Sequence, residues 1–277
     1  MRSRAEMFVQ LHRSHRARGL AVVLAFGAAI LVAAATACHD LSGSSASILS
    51  IRFDSLPNTS VVVGDTLRDT TGAIALPVVH AFNFEGVEIP PPEVHFLSPD
   101  TGVTVDSATG VIVGDSLRST PARIVATVEG LQAIQRLDVT LRPDLITGQN
   151  VLDSVLYSIT DTTLNVSPAV TVKLTHGTAP NDSAVKSYIV SFQIVSQPDP
   201  PPGGPPLGEL VNDGGKASII DTTDASGIAG RKIRLHLGGL TSGTQVDSII
   251  VNATAKFRGI PVTGSPVRLV VKLKPRS

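Results

Sequence analysis

The chain has 277 residues but only one cysteine, Cys38, two tyrosines and no tryptophan. A lone thiol excludes an internal disulfide, so any domains must hold together by burial and strand pairing. Aromatic residues make up only 4% of the sequence. Aliphatic side chains therefore have to fill any core, and little remains for the aromatic platforms on which sugars stack. The formal net charge is zero, which gives no global field for gathering nucleic acid. Also missing are a G-x-S-x-G nucleophile turn and an EF-hand calcium loop.

A long uncharged run occurs at residues 19–37 and ends on small side chains. Before it, Arg2, Arg4, Arg13, Arg16 and Arg18 outweigh a single acid, Glu6. Basic head, apolar middle and small-residue end are the three parts of a secretory signal. The ending Thr36-Ala37-Cys38 resembles the bacterial lipobox, in which a small pair precedes an obligatory cysteine that is diacylated before the signal is removed. That resemblance implies residues 1–37 as signal peptide, Cys38 as the lipid attachment residue and the membrane as a partner through the lipid. Ala35 departs from the Leu that lipoboxes favour.

Two other readings of the segment stay open. Ala35-Thr36-Ala37 is also an A-x-A site for ordinary cleavage, and the run is long enough, against about 17 to 25 residues for a spanning helix, to remain as an anchor. Each of the three puts the rest of the chain outside the cytoplasm. Because His39 follows Cys38, rather than the Asp that in some bacteria signals inner-membrane retention, the lipoprotein reading expects the outer membrane of the cell envelope.

Beyond Cys38, Val, Ile and Thr are frequent, and the whole chain has 24 Gly and 19 Pro. That mixture describes an all-β protein with aliphatic cores. Residues 38–47, small and polar, read as a flexible tether.

Residues 48–143 break into short apolar runs separated by turn residues, the pattern of a β-sandwich. Ala122, Ile124, Ala126 and Val128 alternate with Arg123, Val125 and Thr127; Glu129-Gly130 turns the chain; Leu137, Val139 and Leu141 alternate with Asp138, Thr140 and Arg142. This is a hairpin with one face in the core. Val61-Val62-Val63-Gly64-Asp65-Thr66, Ser98-Pro99-Asp100, Val103-Thr104-Val105-Asp106, Gly110-Val111-Ile112 and Ala122–Val128 together resemble the bacterial immunoglobulin-like domain of the group 2 type. Phe96-Leu97 stands where that family often has Trp.

Residues 143–152 read as a junction, and the charge changes sign there. Residues 48–149 carry 6 basic and 12 acidic side chains, residues 150–277 carry 12 and 9. In the second half, alternation at Val170, Val172 and Leu174, at Ile233, Leu235 and Leu237, and at Leu269, Val271 and Leu273 predicts half-buried strands with a basic outer face. Asp221-Thr222-Thr223-Asp224-Ala225-Ser226-Gly227-Ile228-Ala229 resembles the turn before the last hairpin of the invasin-type, or group 1, bacterial immunoglobulin-like domain. The resemblance implies a second sandwich over residues 150–277. A proline-rich insertion, Gln197–Gly208, departs from it. Proline lacks a donor, so the insertion reads as an exposed polyproline-like loop and spacer rather than a paired strand, and Pro90-Pro91-Pro92 reads the same way.

A search for chemistry leaves little. His80, His95 and Glu93 carry zinc-ligand chemistry at a spacing that diagnoses nothing. Asp100 with Asp106, and Asp221 with Asp224, bracket turns as calcium ligands do, but Asp at a turn also bonds its own backbone. His236 shares a strand face with Lys232 and Arg234, which reads as a solvated face, and His39 lies in the tether. No catalytic residue, metal ligand or cofactor is assigned. The expectation is a non-enzymatic cell-envelope lipoprotein of two tandem immunoglobulin-like sandwiches behind an N-terminal signal or anchor. Its partners would be surface proteins or glycans and not nucleic acid; the alternative is a carbohydrate-binding or accessory module of a surface enzyme system.

Overall fold

The computed structural model describes residues 47–91, 93–158, 165–199, 202–236 and 247–276. Cys38, the signal-like segment and His39 lie outside them. Contacts divide the chain into two compact units, residues 1–50 with 82–89, and residues 51–81 with 90–277. In the first unit, the Asn83 side-chain oxygen accepts bonds of 3.0 Å from the Glu85 and Val87 amides and so closes a tight turn.

The described residues are all-β and contain no helix. The strands up to residue 140 are β1 (Ser50–Phe53), β2 (Ser60–Val62), β3 (Val79–Phe82), β4 (Glu88–Ile89), β5 (His95–Leu97), β6 (Val103–Val105), β7 (Ile112–Gly114), β8 (Ala122–Val128) and β9 (Leu131–Thr140), and those within the larger unit build the first sandwich. One sheet runs β2-β9-β8-β5. The hairpin expected from alternation is β8–β9, with Ala122 opposite Leu137 and Val128 opposite Leu131. Ala122, Ile124, Ala126 and Val128 are buried. A short parallel pairing, Ser60 opposite Asp138 through Val62 opposite Thr140, adds β2 to the edge. Phe53 of β1 meets Phe96 of β5 edge-on at 6.2 Å, and around them Leu67, Ile112, Ile124 and Leu137 form an almost wholly aliphatic core. Phe96 thus occupies the core position at which the family resemblance led one to look for Trp.

The second sandwich comprises β10 (Leu145–Gly148), β11 (Leu152–Tyr157), β12 (Val170–His176), β13 (Ser183–Ala184), β14 (Ile189–Ser196), β15 (Gly208–Val211), β16 (Ile220–Thr222), β17 (Ile228–Leu235), β18 (Asp247–Thr254), β19 (Lys256–Phe257), β20 (Ile260–Pro261) and β21 (Val267–Pro275). Its two sheets run β10-β12-β17-β15 and β11-β21-β18-β14-β16. With β13 paired to β12, five strands face a second five-stranded sheet, the sandwich arrangement of immunoglobulin-like domains. The core between them holds Tyr157, Phe192, Leu174, Ile233, Ile249 and Leu269. Here too a strand near the start pairs parallel with the last one, Leu152 opposite Val270 through Tyr157 opposite Pro275.

The stretch that reads as a junction contains a strand: β10 pairs antiparallel with β12 and so belongs to the second sandwich. The proline-rich insertion lies between β14 and β15 as expected, with Pro200 and Pro201 outside the described residues.

Candidate functional site

The residues weighed for metal binding do not converge on one point. His80 Nε2 lies 2.9 Å from Asp54, whereas His95 on β5 faces Glu93 at 3.5 Å. Asp100 accepts a fork from Arg123, at 3.0 and 3.1 Å, and the Arg123 backbone N–H at 2.8 Å. These bonds draw its carboxyl down to about 2. Asp106 accepts from the Thr109 hydroxyl and amide, both at 2.7 Å. Asp224 closes its turn through the Ser226 and Ile228 amides, and Asp221 pairs with the buried Arg231 at 2.8 Å. Turn chemistry accounts for Asp106 and Asp224 and arginine pairing for Asp100 and Asp221, and no group of three or more His, Cys, Asp or Glu side chains is poised around a metal position among the described residues. The basic row of Lys232, Arg234 and His236 is partly exposed to solvent and carries surface ion pairs. Lys232 pairs with Asp213 at 2.9 Å, and Arg234 and His236 both approach Glu209. Tyr157 and Tyr188, the aromatic candidates for a sugar platform, are buried at 1% and 7% exposure.

What the structure assembles instead is a junction between the two sandwiches, within the larger unit. Gly64-Asp65 follows β2, and the Asp65 carboxylate is taken out of water, with its side chain 5% exposed. It accepts two guanidinium forks. Arg68, in its own sandwich, donates through Nε and Nη2 at 3.0 Å each. Arg258, from the β19–β20 turn of the second sandwich, donates through Nε and Nη2 at 2.9 Å each. The Thr66 amide adds a fifth bond at 2.9 Å. Burial alone pushes the Asp65 carboxyl up, but the bonds from Arg258, Arg68 and Thr66 outweigh it and bring it down to about 2.

The backbone is shaped to allow this. Arg258 and Gly259 have φ of 52° and 78° and form the two-residue turn between Phe257 and Ile260. Gly72 packs so closely on this turn that a Cβ there would collide with the Gly259 backbone. A second group of contacts centres on Lys186-Ser187. The Thr140 hydroxyl donates to the Lys186 carbonyl at 2.6 Å, Lys186 Nζ donates to the Arg118 carbonyl at 2.9 Å, and the Ser187 hydroxyl donates to Asp138 at 2.7 Å. Thr59 donates to the Ser187 carbonyl at 3.0 Å. Ser187 holds a φ of 54°, a conformation that costs a non-glycine residue about 1 kcal/mol or more and that these bonds help to hold. Val62 of β2 completes the connection by joining the core of the second sandwich.

Between the Asp65 clamp and the outer face of β14 lies a cleft of about 310 Å³, lined by Asn58, Ser60, Thr66, Ser191, Gln193 and Thr254 among others. Tyr188 forms part of its wall and donates its hydroxyl to the Lys256 carbonyl at 2.6 Å. Burial, aided by the Asp65 charge, raises the Tyr188 pKa. Buried side-chain oxygens of Asn58, Ser60 and Thr66 have no hydrogen-bond partner among the described residues, so the cleft walls keep bonding capacity that the junction does not use. Sequence patterning gave Gly64-Asp65 no role beyond the stretch that resembles the group 2 domain, and no local signal ties residue 65 to residue 258.

No protein-family model matches this chain, and no curated protein matches it. Among solved structures, domains 4 and 5 of the S-layer protein SbsC align over 83% of this chain and 100% of that one, at 10% identity and a TM-score of 0.29. The human protocadherin-24 EC1-2 fragment aligns over 83% and 100%, at 14% identity and a TM-score of 0.26.

Proposed function

We propose that this chain is a non-enzymatic cell-envelope lipoprotein, attached through Cys38 to the outer membrane, whose two sandwiches act as one rigid surface interaction and spacer module. The observation that carries the module is the junction. A carboxylate held by a guanidinium fork from each sandwich, with Val62 sunk in the neighbouring core, suits a body that must present a surface at a fixed distance from its anchor. The anchor rests on the basic head, uncharged run and Thr36-Ala37-Cys38 ending of the sequence.

Intact mass spectrometry of the membrane-extracted protein tests the anchor. The expected species begins at Cys38 and carries a diacylglycerol adduct. An unmodified Cys38, or retention of residues 1–37, rules the lipid out.

A further inference from the structure

The sheet β11-β21-β18-β14-β16 has one face in the core and one outside, and the register assigns every position to one of them. Outward on β21 are Arg268, Val270, Lys272 and Lys274, alternating with the buried Leu269, Val271 and Leu273. Lys272 lies opposite Ser154 on one side and Ser248 on the other; Arg268 lies opposite Asn252. Ser191 and Gln193 of β14 continue the same face across from Thr254 and Asn252. The acids of these strands, Asp153, Asp221 and Asp247, fall on the opposite parity, directly across from the core residues Val271, Val190 and Leu273. Five strands therefore present an outer face without a carboxylate. Its three exposed cations meet no acid at ion-pair distance among the described residues, unlike the paired row on β17.

We propose that this face docks an anionic polysaccharide, with Arg268, Lys272 and Lys274 contacting its acidic groups; the inference deepens the interaction half of the proposed function. Charge complementarity selects an anionic partner. At 3.3–3.4 Å per residue the cations stand about 7 and 13 Å apart along one strand, a linear array suited to an extended polymer. The hydroxyl and amide groups of Ser154, Ser248, Asn252, Ser191 and Gln193 beside it are donors and acceptors for sugar hydroxyls. The face ends at the cleft, which Ser191, Gln193 and Thr254 help line. The outward positions also hold the aliphatic Leu152, Leu156, Ile220, Ile250 and Val270, which can pack against sugar-ring faces, but no aromatic side chain, so the face lacks the Trp or Phe anchors of a bilayer-binding surface and the Tyr- and Trp-rich centre of a protein interface.

The test is binding of the purified full chain, in neutral detergent, to polygalacturonate. Neutral dextran and phosphatidylglycerol vesicles serve as the other probes, and sedimentation velocity is run without any probe. The expected result is binding to polygalacturonate that weakens about tenfold or more between about 0.05 and 0.5 M salt, with none to dextran. Lys272→Glu with Lys274→Glu should weaken it at least about tenfold at unchanged melting temperature, because both side chains are exposed. Equal binding to dextran, or full binding by the variant, overturns the proposal. Capture by vesicles alone assigns the face to lipid headgroups, and salt-sensitive self-association lost in the variant assigns it to a second copy; either overturns the polysaccharide. Failure to bind every probe also overturns it while leaving the spacer reading standing, since that depends on the junction and on Cys38.

Discussion

Asp65 links two sandwiches through one side chain, and its titration makes the link measurable. An Asp in the unfolded chain titrates near 3.8, whereas folded Asp65 does so at about 2. The folded state thus resists protonation, and the resulting stabilisation is fully present above about pH 4 and is lost as pH falls from there to about 2. A gap of this size corresponds to about 2 kcal/mol at neutral pH. Asp65→Asn should cost about that much at pH 7 and almost nothing at pH 2, as read by urea denaturation of both proteins across the range. Other carboxylates, Asp100 among them, are also held low, so the quantity to follow is the difference between the two curves. A constant difference from pH 7 to pH 2 would show that the clamp does not depend on the Asp65 charge.

Two hairpins with the same backbone geometry separate turn preference from side-chain work. Glu129-Gly130, between β8 and β9, has φ of 48° and 85°, and Arg258-Gly259, between β19 and β20, has 52° and 78°. Two-residue turns with both φ positive favour Asn at the first place. Glu129→Asn should therefore raise stability by about 0.5 kcal/mol or more. Arg258→Asn should lower it despite the better turn, because the fork to Asp65 is lost. Thermal melting of the two variants gives the signs; a gain in both would mean that Arg258 contributes little. These elements also show how far the sequence is legible. The β8–β9 hairpin could be read from period-two alternation because both its faces and its turn are local. The proline-rich loop was legible from its missing donors. The parallel pairings of β2 with β9 and of β11 with β21 were not, since partners so far apart in sequence leave no periodic trace. Nor was β10, a strand of four residues with a single fully buried side chain, Ile146. The site was less legible still. The carboxylates that looked like ligands turned out to cap turns and pair with arginines, and the clamp depends on a contact across 193 positions. The basic outer face of the last strand, by contrast, follows directly from alternation at residues 268–274.

At the scale of the molecule, the larger unit contains two cores joined by polar bonds and by aliphatic side chains, Val62 and Leu141, that reach the second core. The Asp65 forks, the Lys186-Ser187 contacts and the passage of Val62 into the second core act at separate points, which constrains rotation as well as separation. The two sandwiches should consequently tumble with one correlation time in nuclear magnetic resonance relaxation. In Asp65→Ala the two should show distinct, shorter times while each keeps its own folded spectrum. A single correlation time retained in the variant would place the rigidity in the remaining contacts.

The parallel strand pairs give such a module a mechanical property. In β2–β9 and β11–β21 a strand near the start of the sandwich and its last strand point the same way, so tension applied to the two strands in opposite directions runs along them rather than peeling one off the other. The six paired positions of the second sandwich then resist together as a shear lock, and must yield together.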